Sequence, residues 1–131
     1  MEAALRARLL GQAAITSIVK KRIDWGDRPQ GRPLPAITLE LIDDPLAQHM
    51  SGIQALQSSL VQIDVWADDY LEAKELMGLV LAELVPAAVQ DQVNFGRAFV
   101  QRRRATHEFT GADTVYRRSA DIMVWHSPAA A

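Results

Sequence analysis

Five carboxylates crowd the stretch VQIDVWADDYLEAKEL, residues 61–76: Asp64, Asp68, Asp69, Glu72 and Glu75. Carboxylates at this density could hold a divalent cation or divide acid and base work between them. Either chemistry needs the groups to converge on one point. The flanking pattern argues against convergence. Residues 58–67 alternate, with Val61, Ile63, Val65 and Ala67 on one face and Leu60, Gln62, Asp64 and Trp66 on the other, which predicts a strand. The period then lengthens. Tyr70, Ala73, Met77, Val80, Leu81 and Leu84 fall on one helical stripe that Pro86 ends. Asp69 and Glu72 fit the cap of that helix, Asp69 accepting backbone N–H bonds and Glu72 reaching back, and acids in the first turn suit its dipole. Four of the five acids are thus expected to organise a helix start. Asp64 is expected on the more polar strand face, and no metal or acid–base centre is predicted.

Other chemistry is sparse. His49, His107 and His126 are isolated in sequence and read as surface or interface residues. Ser51, Ser58 and Ser59 have no His at a suggestive position. There is no Gly-rich phosphate loop, no HExxH and no GxSxG. The chain has no Cys, which excludes disulfides, thiolate zinc sites and Cys nucleophiles. No catalytic, cofactor-binding or metal-ligating residue is predicted, and no cofactor.

The strongest remaining feature is basic. In AFVQRRRATHEF, residues 98–109, Phe99, Gln101, Arg103, Ala105, His107 and Phe109 share one face, and Val100, Arg102, Arg104, Thr106 and Glu108 the other. Thr110–Asp113 reads as a turn. Residues 113–126 alternate again, so the pair predicts an antiparallel hairpin. It would set Arg102, Arg103 and Arg104 against Arg117 and Arg118. Like charges facing one another across a sheet repel, so an external partner or acidic neighbour is expected: nucleic-acid phosphate, the acidic segment 40–91, or that segment on another copy. No aromatic ladder interleaves the arginines, which argues against a platform for stacking single-stranded bases.

The elements that carry these groups can be read in order. Residues 2–19 predict one helix, with Ala4, Leu5, Arg8, Leu9, Gln12, Ile15, Thr16 and Val19 at helical spacing; Gly11 weakens it by about 1 kcal/mol relative to Ala. KKRIDWGDRPQGRPLP reads as a loop with a short extended piece at 22–25. AITLELID reads as a strand. Residues 44–57, interrupted by Pro45 and Gly52, have no clean period and read as a partner-contacting loop. The expected fold class is α+β: a mostly antiparallel β-sheet of about four strands with two helices, in the order α-β-β-α-β-β. Residues 1–126 form one domain and 127–131 a flexible C-terminal tail.

Bulk properties set the remaining bounds. The 131 residues suit one domain, with 49% apolar and 23% charged residues, a globular balance. No apolar run approaches the ~20 residues that span a bilayer, and the mixed charges of MEAALRARLLGQAA do not make a signal peptide, so no membrane partner is expected. The formal net charge of −2 does not attract nucleic acid as a whole. The charge is segregated, however. Residues 1–39 carry seven Lys/Arg against three acids, 40–91 ten acids against Lys74 alone, and 97–118 six Arg against two acids. Such segregation suits either three solvated surfaces or complementary faces on neighbouring copies.

Three pieces in order carry a resemblance: RIDWGDRPQGRPLPAITLE, then LVQIDVWADDYLEAKEL, then YRRSADIMVWH. Over residues 20–126 the chain resembles the small tail-completion or tail-terminator proteins of long-tailed bacteriophages, prophages and gene-transfer-agent particles. The resemblance implies a structural virion protein and not an enzyme. Its copies would form a ring, commonly a homohexamer, that caps the tail tube, stops its polymerisation and joins tail to head. The implied partners are itself, the tail tube protein and a head-completion or connector protein. DNA would pass through without specific binding. The implied location is the tail at the head–tail junction, with host cytoplasm during assembly. Interface candidates are Arg102, Arg103, Arg104, Arg117, Arg118, Asp43, Asp44, His49 and Met50. The inner wall of such a ring is expected to be acidic or neutral. The alternatives are a nucleic-acid-binding module using the Arg-rich hairpin and, more remotely, a hydrolase or metal enzyme using the 64–75 acids.

Overall fold

The computed structural model describes residues 1–27, 33–110 and 113–129. Three helices and nine strands follow in order: α1 (Glu2–Leu10), α2 (Ala13–Val19), β1 (Ile23–Trp25), β2 (Ala36–Asp43), β3 (Gln48–His49), β4 (Gly52–Ile53), β5 (Gln57–Ala67), α3 (Tyr70–Leu84), β6 (Ala88–Gln90), β7 (Val93–Phe95), β8 (Phe99–Thr110) and β9 (Asp113–Pro128). Seven strands make one sheet, ordered β1-β2-β5-β9-β7-β6, with β8 also pairing β9. β3 and β4 form a separate ribbon.

The expected sheet of about four strands with two helices is therefore wrong in count. The four strands foreseen are β2, β5, β8 and β9. The sheet's other members, β1, β6 and β7, have three residues each, too few to establish alternation. β1 lies parallel to β2; the other pairs are antiparallel. The single N-terminal helix is two. Gly11 caps α1 in a right-handed conformation, and Gln12, with extended backbone, starts α2. Part of the Pro/Gly loop and the centre of the predicted 110–113 turn lie outside the described residues. Of the expected tail, Ser127 and Pro128 pair with β7 as part of β9.

One layer of helices covers one sheet face. α3 packs on β5 and β9, and α1 and α2 pack beside it over β1. The apolar faces meet there: Leu5, Leu9, Ile15 and Val19 from the first two helices, Leu76, Val80 and Leu84 from α3, and Ile37, Leu39, Val61, Ile63, Val65 and Ile122 from the sheet, all buried. The other face of the sheet carries no helix, and its central positions are polar: Thr38, Gln62, Asp64, Arg117, Ser119 and Asp121.

An arginine fixes the end of α3. Arg8 is 4% exposed, and its guanidinium donates to the main-chain oxygens of Glu83 and, at 3.0 Å, Pro86. The Glu83 carboxylate lies 3.7 Å away and the Phe95 ring centroid 5.1 Å. The last carbonyls of a helix have no partner within it, and a buried cation at that end satisfies them and suits the dipole. Burial lowers the Arg8 pKa from its ordinary value, and Glu83 opposes that shift. Arg8→Met is expected to cost about 1.5–3 kcal/mol, the range for hydrogen bonds to a charged group. Gly78, in mid-helix with nothing within 4 Å of a Cβ built on it, should give the opposite sign: Gly78→Ala gains about 0.5–1 kcal/mol. Urea unfolding of both variants measures the two signs.

Candidate interaction surface

The acid-rich stretch does not converge. Asp64 sits on the open sheet face yet is only 5% exposed. Its carboxylate accepts from Ser119 Oγ on β9, from Arg117 Nη2 at 3.0 Å, and from Gln62 Nε2 at 3.0 and 3.2 Å. Arg117 lies over the Trp66 ring at 4.9 Å, and Trp66 Nε1 donates to Thr38 Oγ1 at 3.0 Å. The result is a transverse polar tie across β2, β5 and β9. Asp69 caps α3, accepting the Glu72 N–H at 3.0 Å. Among the described residues, no hydrogen bond returns from the Glu72 carboxylate, so half of the expected cap is present. Among the described residues, no three His, Asp or Glu side chains group so as to hold a metal ion.

The hairpin arginines divide. Register puts Arg102 opposite Asp121, Arg103 opposite Ala120, Ala105 opposite Arg118 and Thr106 opposite Arg117. The arginines of the two strands therefore do not face one another, and the repulsion expected from such pairs does not arise. A bulge at Gln101 shifts the alternation, because Val100 pairs Ile122 while Arg102 pairs Asp121. Phe99 thus shares the open face with Arg102, and Val100 shares the helix face with Arg103. Arg104 pairs with Asp121 at 3.5 Å and Arg117 with Asp64, both on the open face. Arg103 and Arg118 point to the helix side, where Arg118 lies 5.0 Å over the Tyr70 ring. Five arginines split between two faces, two of them paired internally, make a poor phosphate track.

Together with Lys74, Arg103 and Arg118 line a groove of about 640 Å³ between α3 and β8. Gly78 and Leu81 form its helical wall and Ala105 part of its strand wall.

The other interface candidates lie at the opposite end of the sheet. Residues 44–57, expected to be a loop, contain the ribbon β3–β4, too short for a period to register. Asp43, at the end of β2, is exposed. Met50 is fully exposed at the ribbon's turn, and Ile42, Leu46, Ile53 and Leu56 are 49–63% exposed. His49 Nδ1 lies 2.7 Å from Ser51 Oγ. Gln57 clamps the ribbon's base, accepting from Ala47 N at 2.8 Å and donating to Gln54 O at 2.6 Å.

Asp44 takes part in a cluster that sequence spacing missed. Ser59 Oγ donates to Asp44 Oδ1 at 2.6 Å and lies 2.9 Å from His126 Nε2. Ser59 and His126 stand 67 residues apart, and only the β5–β9 register brings them together. The residue types are those of a hydrolase triad, but the order is wrong. In a triad the acid orients the histidine and the histidine activates the serine. Here the acid meets the serine, which is fully buried. A hydroxyl has one proton. With that proton given to Asp44, His126 Nε2–H must donate to Ser59. The cluster is a brace between the sheet and the base of the ribbon.

A family model described as Tail completion protein gp17 matches residues 3–127. The chain belongs to that family. It is a structural tail protein of phage-like virions. Among solved structures, a chain from the virion of a native gene transfer agent particle is similar, with a TM-score of 0.74 at 20% identity, covering 97% of this chain and 94% of that one. No curated protein matches.

Within this tail completion chain, the part-buried brace predicts a pH response. Burial first, and the N-terminal ammonium second, lower the His126 pKa from its ordinary 6.5, while Asp44 pulls it up. The folded state therefore binds this proton later than the unfolded state. The contribution is complete above pH 6.5 and is lost as the pH falls from there toward the folded value. The urea midpoint should fall on acidification through that window, and His126→Gln should flatten this part of the profile.

Proposed function

We propose that this chain is the ring-forming tail terminator of its particle. Copies of it, six in the reading favoured here, cap the tail tube, halt its polymerisation and join the tail to the head. The observation that carries the reading is the family match over residues 3–127. The molecule's physical character supports it. Of the carboxylates that suggested chemistry, Asp69 caps a helix and Asp64 belongs to a buried network. The basic groove and the ribbon with its flanking acids lie toward opposite ends of β5 on one subunit, and head-to-tail contacts of that kind close into rings when the rotation allows. The partners are further copies, the tube protein and a head-completion or connector protein.

Arg102, Arg103, Arg118, Asp43, Asp44, His49 and Met50 are the proposed contact residues, in interfaces between copies or with those partners. Arg104 and Arg117 belong to the same proposal with a second role, because each also pairs within the chain. Reversal at Arg103 tests contact alone, whereas reversal at Arg117 would also disturb Asp64. Six copies at −2 suit a conduit that does not hold DNA, with the arginines away from an acidic or neutral inner wall.

Particles lacking this chain should have tails of unregulated length and unattached heads in electron micrographs. Tails of normal length joined to heads would refute the reading. Arg102, Arg103 and Arg104 lining the channel in a particle reconstruction would refute the account of its inner wall.

A further inference from the structure

Two surfaces of this chain complement each other and cannot meet within one copy. The first is the groove between α3 and β8. Lys74, Arg103 and Arg118 make it positive, Leu81 and Ala105 give it apolar wall, and no carboxylate lines it among the described residues. Gly78 keeps it open. A larger residue there would favour the helix, and its Cβ would meet nothing within 4 Å beyond its chain neighbours and the helix's own backbone. A glycine that costs helix stability beside open space leaves room for something to approach the backbone closely.

The second surface is the β3–β4 ribbon. Met50, Ile53 and Leu46 are exposed on it, Asp43 and Asp44 flank it, and no Lys or Arg occurs from residue 33 to 73. Gln57 holds its base, so little ordering remains to be done on docking. The ribbon joins β5 at Gln57, while Arg118 lies across from Val65. Eight residues of strand separate the two levels, about 26 Å at ~3.3 Å per residue. The ribbon of one copy therefore cannot reach its own groove.

We infer that the groove between α3 and β8 receives the β3–β4 ribbon of a neighbouring copy, its exposed apolar side chains lying along Gly78 and Leu81 and its flanking acids against Lys74, Arg103 and Arg118. This assignment rests on the ring reading above and names the contact by which the ring closes.

The test uses tails assembled with full-length variants, scored by microscopy for rings at the tail end, with thermal unfolding of each purified variant. Gly78→Leu fills the groove. Asp43→Lys and Arg103→Glu each place like charges across the proposed contact. Each of the three should reduce ring-bearing tails about tenfold or more without lowering the unfolding midpoint. Asp43→Lys combined with Arg103→Glu should recover rings. Normal rings from Gly78→Leu and both single charge variants would overturn the pairing and leave the ring reading intact, as would loss in the singles without recovery in the combination. Rings that form normally but fail to seat on the tube would assign the groove to the tube protein, against the inference. Wild-type tails with no multi-copy ring would overturn both readings.

Discussion

The hydrogen-bond ladder of β9 is the constraint on which the rest of the molecule depends. Along one edge β5 pairs from Tyr116 to His126; along the other β8 pairs as far as Met123, and β7 takes over at His126. Sixteen residues of strand extend about 53 Å at ~3.3 Å each, longer than one short helix layer can cover. Ala120, Ile122 and Val124 are buried on the helix side. Asp113 to Val115 have only β8 beside them. The surplus strand makes an exposed arm, and β8 is its outer edge. Long free edges invite pairing with other chains. Charged side chains in mid-strand, here Arg102 to Arg104, blunt that tendency, and the bulge at Gln101 adds twist.

The same architecture explains the polar network. With helices on one side only, the far face meets water, and its positions take Thr38, Asp64, Ser119 and Arg117. Asp64 is nevertheless buried. A buried carboxylate is tolerated when hydrogen bonds replace its hydration, and the donors from Ser119, Arg117 and Gln62 do so. The stacked Arg117 and Trp66 beside it add cation–π attraction to this arrangement. What reads in sequence as a reactive cluster is, in space, one group saturated by donors and a set of helix-end charges.

Legibility in the sequence followed the range of the interaction. Alternation over β5 and β9 assigned Val61, Ile63 and Val65 to the core, and helical spacing found Leu5, Leu9, Ile15 and Val19 even though the helix breaks at Gly11. The Asp69 cap is likewise a local pattern. Periodicity needs more than three residues, so β1 showed only as a short extended piece at 22–25, and β6 and β7 had no signal. Nor did the bulge at Gln101, since the register of β8 is set by β9 and not by its own alternation. The β9 partners of Asp64, the Ser59–His126 contact and the Arg8 clamp on α3 join residues 53 to 78 apart. Each depends on strand register or helix packing, which no short window contains.

Physical cost ties the two complementary surfaces together. Gly78 in mid-helix and an apolar ribbon held out in water each make an isolated copy less stable than its own sequence could allow. Both features become favourable once covered. A single ribbon-in-groove contact is small, and alone it would be weak. In the proposed ring, copies held at a tube end would form each remaining contact at high effective concentration, and closure would make the last one intramolecular. Weak pairwise association is then compatible with a stable ring. It would also let the subunit stay dispersed until a finished tube presents a surface on which to assemble. The separation of groove and ribbon along β5 would make the proposed contact possible, because a chain able to satisfy the acids flanking its own ribbon would have no charge left to offer a neighbour.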